Sequence, residues 1–483
     1  MPWSLRSMTF ATHRPRPLSA NARRVLCSSG NLKNAEAAFS GPALRQILSA
    51  HISVSTSLMV AYSGGVDSHV LLYALYELRE LTSWPVRAVH VDHGLQPESR
   101  AWAEHCMQVC DALSIPCKIE HIAVTGARTK GIEAAARQLR YACLARHIGA
   151  NDVLLTAHHL DDQAETVLLQ LLRGSGVRGL SAMPMVAGFG VGKLMRPLLG
   201  FTRTALSVYA AEHGLRWVDD TSNRDLRHAR NFIRHRVLPV LEQRWPSASA
   251  ALARTSRHAG EAAILLDALA GVDLQSLQLG AGAELSVTGL LQLSVERRRN
   301  VLRYWIRQQG HALPSTLLLG QLMQIIEVST RSRSAMVTWG DTELWRYRET
   351  LSIMRSFAAP DPGLKIPWDL AVPLELPGTG YVLRSVACDG EGLSRGRIAG
   401  APLTVRWRGG GERCRLPGRR HHHKLKKLLQ AAGVPPWERR RLPLIFVGAE
   451  LAAVADRWVC APFAARDGEP GVQIVLERVK NRV

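Results

Sequence analysis

The sequence predicts an α/β protein: a parallel-sheet domain first, a helical middle domain next, and a small α+β domain at the C-terminus. Three observations carry this. Short apolar runs alternate with helical patterns from residue 58 to 172. Leu and Ala then recur at helical spacing over 247–330, with few strand-like runs. Two short apolar runs, 444–447 and 451–454, read as strands near the end. Strand–helix alternation implies a parallel sheet covered by helices on both faces. The length of 483 residues gives room for about three such units.

Taken in order, Leu44, Ile47 and Leu48 have helical spacing. The run 58–62 (LMVAY) is a strand that stops at Ser63-Gly64-Gly65, and Val70, Leu71, Leu72, Leu75 and Leu78 form a helix after it. Residues 86–91 are a second strand, 101–113 a helix, 117–122 a third strand and 132–148 an Ala- and Arg-rich helix. Residues 152–157 (DVLLTA) are a fourth strand, with a helix over 161–172. In such a sheet, ligands sit at the carboxyl ends of the strands. Residues 335–356 alternate apolar and polar side chains and read as a small antiparallel region. The expected organisation is a disordered basic extension over 1–40, a first domain over 41–246 and a middle domain over 247–357. A linker region over 358–384 and a basic C-terminal domain over 385–483 follow.

Composition narrows the partners. Lys plus Arg number 61 against 40 acids, a formal charge of +21, so the field attracts polyanions. Nucleic acid is the first partner class and an anionic membrane surface the second. Hydrophobic residues at 46% exclude a wholly disordered chain. No apolar run reaches the roughly 18 residues of a membrane span. The eight cysteines are scattered, which predicts a reducing cytoplasm rather than a disulfide scaffold. Six basic residues precede the first acid, Glu36, in a Ser- and Pro-rich stretch. That stretch reads as a disordered tail or an early start with Met8 as the alternative, in preference to an organelle transit segment.

The segment Ser63-Gly64-Gly65-Val66-Asp67-Ser68 carries the most chemistry. Two glycines permit a tight turn and close backbone approach to a phosphate. The following helix N-terminus offers free N–H groups and a positive dipole end. Ser63 and Ser68 add hydroxyls. Asp67 would repel a phosphate directly, but fits as the ligand of a divalent cation bridging to one. The loop lacks the Lys-Ser/Thr ending of a Walker A motif.

As a whole, this segment resembles the PP-loop of the N-type ATP pyrophosphatases, which cleave ATP between the α and β phosphates and adenylate an oxygen of their substrate. Further segments resemble one group among them, the tRNA(Ile)-lysidine synthases. In order they are HVDHGL at 90–95, GIEAAAR at 131–137 with Arg140-Tyr141, and TAHHLDDQAET at 156–166. RGSG at 173–176, Gly179-Leu180, RPLL at 196–199, DDTSN at 219–223, RNFIR at 230–234, PPWER at 435–439 and LPL at 442–444 follow. The resemblance implies ATP and Mg²⁺ as cofactors, with L-lysine and a tRNA(Ile) bearing the CAU anticodon as partners. ATP adenylates the C2 oxygen of the wobble cytidine, lysine displaces AMP, and the product reads AUA instead of AUG. The sequence does not set the oligomeric state; a homodimer is one option.

Roles follow the resemblance. Ser63, Gly64, Gly65, Val66, Asp67, Ser68 and His90 are expected at ATP, and Asp67 with Asp162 at the metal. Arg137 is expected at the α-phosphate, where a guanidinium binds bidentately. A lysine ammonium has a pKa near ~10.4 and needs a base, for which Asp162 is placed first with Glu165 and His158 in support. Without the resemblance, these acids read as a helix capping box with Asp at the cap and Glu at the third position. Arg230 and Arg234, four apart, are expected at AMP or tRNA phosphate, and His90, Asp92 and His93 at an adenine or cytidine pocket. In the last domain Arg413, Arg419, Arg420, Lys424, Lys426 and Lys427, interleaved with Trp407 and Trp437, are expected to track tRNA phosphates with stacking platforms. Two alternatives remain: a PP-loop tRNA sulfur transferase, for which Cys106 and Cys110 have the wrong CxxxC spacing, and an inactive tRNA-binding paralogue.

Overall fold

The computed structural model describes residues 38–94, 96–123, 132–280, 282–327, 334–356 and 360–478. Most of the expected N-terminal extension, and Leu95 and Gly131 of the motifs above, lie outside these. The chain divides into two compact units, up to Leu265 and from Leu266 onward.

The first unit is built on a six-stranded sheet of order β3-β2-β1-β4-β6-β5. Its strands are β1 (Ser57–Ala61), β2 (Val86–Asp92), β3 (Cys117–His121), β4 (Asp152–Leu155), β5 (Val186–Phe189) and β6 (Gly192–Met195). All neighbours pair parallel except the β5–β6 hairpin. The helices are α1 (Gly41–Ser49), α2 (Val66–Glu77), α3 (Ser99–Ala112), α4 (Ile132–Ala145), α5 (Leu160–Leu172) and α6 (Arg203–Glu212). The strand period of two sorts the core. Leu58 and Val60 of β1, with Val153 and Leu155 of β4, join Val70, Leu71 and Leu206 on one face. Met59 and Leu154 point the other way, against Cys143, Leu144 and Ile148 at the end of α4. Because β1 is flanked by β2 on one side and β4 on the other, the chain reverses direction across the sheet there. The carboxyl ends of β1 and β4 therefore border a crevice. A helical stretch over 229–244, α7, contains a π-turn, Ile233–Val237. Helix α8 (Ala248–Leu277) follows, and the division between units falls within it.

The second unit holds more sheet than the helical pattern of 247–330 predicts. Helices α9 (Val287–Gln292), α10 (Val295–Gln308) and α11 (Thr316–Glu327) pack on a five-stranded antiparallel sheet, β7-β8-β11-β10-β9. Its strands β9 (Ala335–Trp339), β10 (Thr342–Tyr347) and β11 (Thr350–Arg355) are the alternating stretch seen in the sequence, and β7 (Gln278–Leu279) and β8 (Glu284–Ser286) complete it. The stretch 358–384 is not a bare connection. It supplies β12 (Ile366–Pro367), β13 (Leu374–Leu376) and the first residues of β14 (Tyr381–Asp389), and buries Trp368. The remaining strands form two antiparallel sheets and a two-stranded ribbon, in which β17 (Arg413–Cys414) pairs with β18 (His423–Lys424). Cys414 and Cys460, 46 residues apart, are joined as a disulfide, a pairing the sequence spacing does not reveal.

Candidate active site

Strand β1 delivers the glycine loop to the crevice. Gly64 adopts φ +82°, and a Cβ there would sit 2.9 Å from Cys106 Sγ, so only glycine fits. The loop is laced internally: Ser63 N–H donates to Ser68 Oγ at 3.2 Å, and Ser68 Oγ donates to the Gly65 carbonyl at 3.0 Å. Val218 N–H donates to the Gly64 carbonyl at 3.0 Å and ties the 217–228 segment to the loop. Asp67 stands in the first turn of α2, and its buried Oδ1 has no hydrogen-bond partner. Burial raises the pKa of Asp67, against the pull of His159 and Arg203.

Strand β4 delivers the second motif beside the first. Helix α5 starts one residue earlier than expected, and its cap is His159, in a reciprocal capping box with Asp162. The box is thus His159–Asp162, not Asp162–Glu165. The buried His159 ring reaches three carboxylates, with Nε2 3.8 Å from Asp67 and 3.4 Å from Asp162. Burial disfavours charge on this ring, but Asp161, Asp162 and Asp67 outweigh it and raise its pKa. His158 faces the other way, with Nδ1 2.9 Å from Thr156 Oγ1. Burial, reinforced by Arg196, Arg230 and Arg137, pulls its pKa down to about 3, although Asp162 opposes this.

Asp162, Glu165, Arg230 and Arg234 form a closed ion network. Both guanidiniums bond Asp162 Oδ1 at 2.9 Å. Glu165, fully buried, receives Arg230 Nε at 2.6 Å and Arg234 Nε at 2.5 Å. Two positive and two negative charges balance, which is what burial demands of charged groups. Burial alone would raise the pKa of Asp162, yet His159, Arg230, His158 and Arg234 hold it at about 2.

In front of the network opens a cavity of about 1270 Å³. That exceeds the roughly 300–1,000 Å³ common for one small ligand. Ser63, Gly65, Asp67, Ser68, His90, Arg137 and His158 line it, as do Asp92 and His93. Asp162, Glu165, Arg230 and Arg234 do not; they stand behind the wall. Arg137, on α4, is exposed with its guanidinium 5.0 Å from the Tyr141 ring, and can reach a ligand. His90 is buried, its Nδ1 3.0 Å from the Tyr62 carbonyl. Asp92 Oδ1 accepts from Gly94 N–H at 2.8 Å while Oδ2 lies 3.1 Å from His121 Nδ1.

Three family models match the chain: a PP-loop domain over 41–241, a TilS substrate binding domain over 285–352 and a TilS substrate C-terminal domain over 403–476. The tRNA(Ile)-lysidine synthase of Coxiella burnetii is 41% identical, over 89% of this chain and 95% of its own. The chain belongs to the tRNA(Ile)-lysidine synthase family. The synthase of Alkalilimnicola ehrlichii is 44% identical, over 89% of this chain and 96% of its own.

As a lysidine synthase family member, the chain places further residues that the sequence reading gave no role. His159 is one, standing beside Asp67; Asp161, which belongs to the acidic cluster expected at the metal or the amine, meets the same His159 ring, and its Oδ2 accepts the Arg203 N–H at 2.8 Å. Asp220, Ser222, Asn223, Asp225, Arg227 and His228 also line the cavity. The DDTSN string was a signal for that wall, since it belonged to the resemblance. In the second unit Arg413, Arg419, Arg420, Lys424, Lys426 and Lys427 are all exposed. Trp407 and Trp437 are not available as stacking platforms: both are buried, Trp407 in a hydrophobic core and Trp437 against Trp345 and Tyr347. No helix among the described residues is long and apolar enough to cross a membrane.

Proposed function

We propose that this chain ligates L-lysine to C2 of the wobble cytidine in the CAU anticodon of tRNA(Ile), converting ATP to AMP and pyrophosphate. The observation that carries this reading is the meeting of the glycine loop and the end of β4 with His158 at the reversal point of the sheet, around one cavity. Membership of a family whose curated relatives carry this name supplies the substrate. A sulfur-transferring reading is not favoured by that membership.

Two steps balance the reaction. The cytidine O2 attacks the α-phosphorus and pyrophosphate leaves. The lysine Nζ then attacks C2, and AMP leaves with the oxygen. The Gly64–Gly65 turn and the α2 N-terminus hold phosphate oxygens, with Ser63 and Ser68 beside them. Arg137 approaches the α-phosphate, where charge grows. The orphaned Oδ1 of Asp67 fits a divalent cation, and Mg²⁺ held there would neutralise phosphate charge. Asp162 Oδ2 is joined to Asp67 through the His159 ring, whose Nε2 contacts both carboxylates.

The amine must lose a proton before attack. Asp162 is held near 2 by His159, Arg230, His158 and Arg234 and does not line the cavity, so it serves better to hold Arg230 and Arg234 than as the base. His158 lines the cavity and is neutral at pH 7. Burial is the main cause of its low pKa, with Arg196, Arg230 and Arg137 adding to it; of these three Arg137 lines the cavity, so a phosphate bound beside Arg137 would lift part of the depression. We assign His158 as the proton acceptor, Glu165 and Asp162 as holders of the arginine pair, and the exposed basic residues of the second unit to tRNA phosphates. The test is the product set. ATP labelled at the α-phosphate should give AMP, only when a CAU-bearing tRNA(Ile) and lysine are both present. Release of ADP, or turnover indifferent to the tRNA, overturns the reading.

A further inference from the structure

We propose a zinc-class metal site at Glu120, Cys143 and His147, which shares no residue with the cavity wall. Glu120 lies on β3, the edge strand of the parallel sheet. Cys143 is in the last turn of α4, and His147 lies four residues on, just past its end. One Sγ, one carboxylate oxygen and one imidazole nitrogen lie within 4.8 Å of one another. Glu120 Oε1 is 3.0 Å from His147 Nε2, and Glu120 Oε2 is 3.7 Å from Cys143 Sγ. Bonds of about 2.3 Å to sulfur and 2.0–2.2 Å to nitrogen or oxygen put tetrahedral donors about 3.3–3.6 Å apart. The carboxylate lies near that spacing from both the nitrogen and the sulfur, through its two oxygens, and the sulfur and nitrogen lie within 4.8 Å of each other.

A second observation points the same way. His147 Nε2 is buried and makes no hydrogen bond, although it faces Glu120 Oε1 at ion-pair distance. An imidazole nitrogen without a hydrogen bond, beside a buried thiol and a carboxylate, is a donor set for a borderline-soft ion such as Zn²⁺. The frame is fixed: Arg87 on β2 donates to the His147 carbonyl at 2.8 Å and to Asp152 at 2.7 Å. Two cations now share the donors. Lys118 Nζ is 2.9 Å from Glu120 Oε1, and Arg146 bonds Cys143. Both are long, exposed side chains at the surface, free to swing into solvent when an ion arrives, and solvent fills the fourth position.

Such an ion would clip the end of α4 to the sheet edge. The same helix carries Arg137, Arg140 and Tyr141 on the cavity wall, so the clip would set the position of the α-phosphate contact. The experiment uses full-length protein stripped with chelator and titrated with Co²⁺ or Zn²⁺. One equivalent should bind, with a thiolate-to-cobalt charge-transfer band, and Zn²⁺ should raise the unfolding temperature. Cys143→Ser and His147→Ala should lose the band, while Cys106→Ser and a variant with His421, His422 and His423 replaced by Ala should keep it. Should Cys143→Ser fail to fold, Glu120→Gln, at a half-exposed position, should lower Zn²⁺ affinity at least about tenfold. Absence of the thiolate band in the unmodified protein overturns the site, as does unchanged affinity in Glu120→Gln.

Discussion

Gly64→Ala is the substitution whose cost the structure itemises most fully. Gly64 sits at φ +82°, where an L side chain costs about 1–2 kcal/mol. The new methyl would lie 2.9 Å from Cys106 Sγ and 3.6 Å from Val218 Cγ2. Cys106 is fully buried on α3, so it cannot retreat, and overpacking of this kind costs about 1–3 kcal/mol. The two parts together give a loss of about 2–5 kcal/mol in the first unit. Cys106→Ala removes the clashing sulfur and leaves the backbone cost. A double-mutant cycle in urea should therefore show the pair less destabilised than the sum, by about 1–3 kcal/mol. ATP-dependent turnover should fall in Gly64→Ala and return only in part with the second change, because the loop is still strained. An additive cycle, or Gly64→Ala as stable as the unmodified protein, would refute the close approach of loop and helix on which the phosphate cradle depends.

Other outcomes follow from the same geometry. Asp67→Asn should abolish ATP-dependent turnover with tRNA affinity unchanged; because burial raises this pKa, removing the charge should also raise the urea midpoint of ligand-free protein at pH 7. Asp162 has the opposite sign. Its pKa of about 2, against an ordinary 3.8, contributes about 2 kcal/mol that is fully present above pH ~4 and lost as pH falls through ~2. Asp162→Asn should flatten the stability–pH curve across that window, and an unchanged acid limb would contradict the ion network. Replacing Arg419, Arg420, Lys426 and Lys427 together should weaken tRNA binding and reduce its salt slope by about one per lost phosphate contact; an unchanged slope removes that surface from tRNA recognition.

Strands β1 to β4 and the helices between them were legible because each is an apolar run closed by a turn or a cap. The β5–β6 hairpin was not. Each of its strands is only four residues long and holds a glycine, Gly188 or Gly192, so its apolar residues form no run long enough to stand out; β6 pairs with β4, and β5 pairs with β6. The motifs predicted which side chains reach the crevice, and seven of those expected at ATP or in catalysis line the cavity. What spacing could not show is who neutralises whom. Arg230 lies 65 residues from Glu165, and Arg234 72 from Asp162, so their ion network exists only in the fold. The same holds for His159, one residue from the expected His158, whose ring turns toward Asp67 because it caps α5. Trp407 and Trp437 misled because interleaved aromatics and arginines look alike whether a ring stacks on bases or fills a core.

The central claim is tested most directly by transfer of radiolabelled lysine to a tRNA(Ile) transcript with a CAU anticodon, in ATP and Mg²⁺, beside a transcript with uridine in place of the wobble cytidine. Label retained on the cytidine transcript alone is the predicted result. Label on neither transcript, or on both alike, would contradict the proposed ligation at C2.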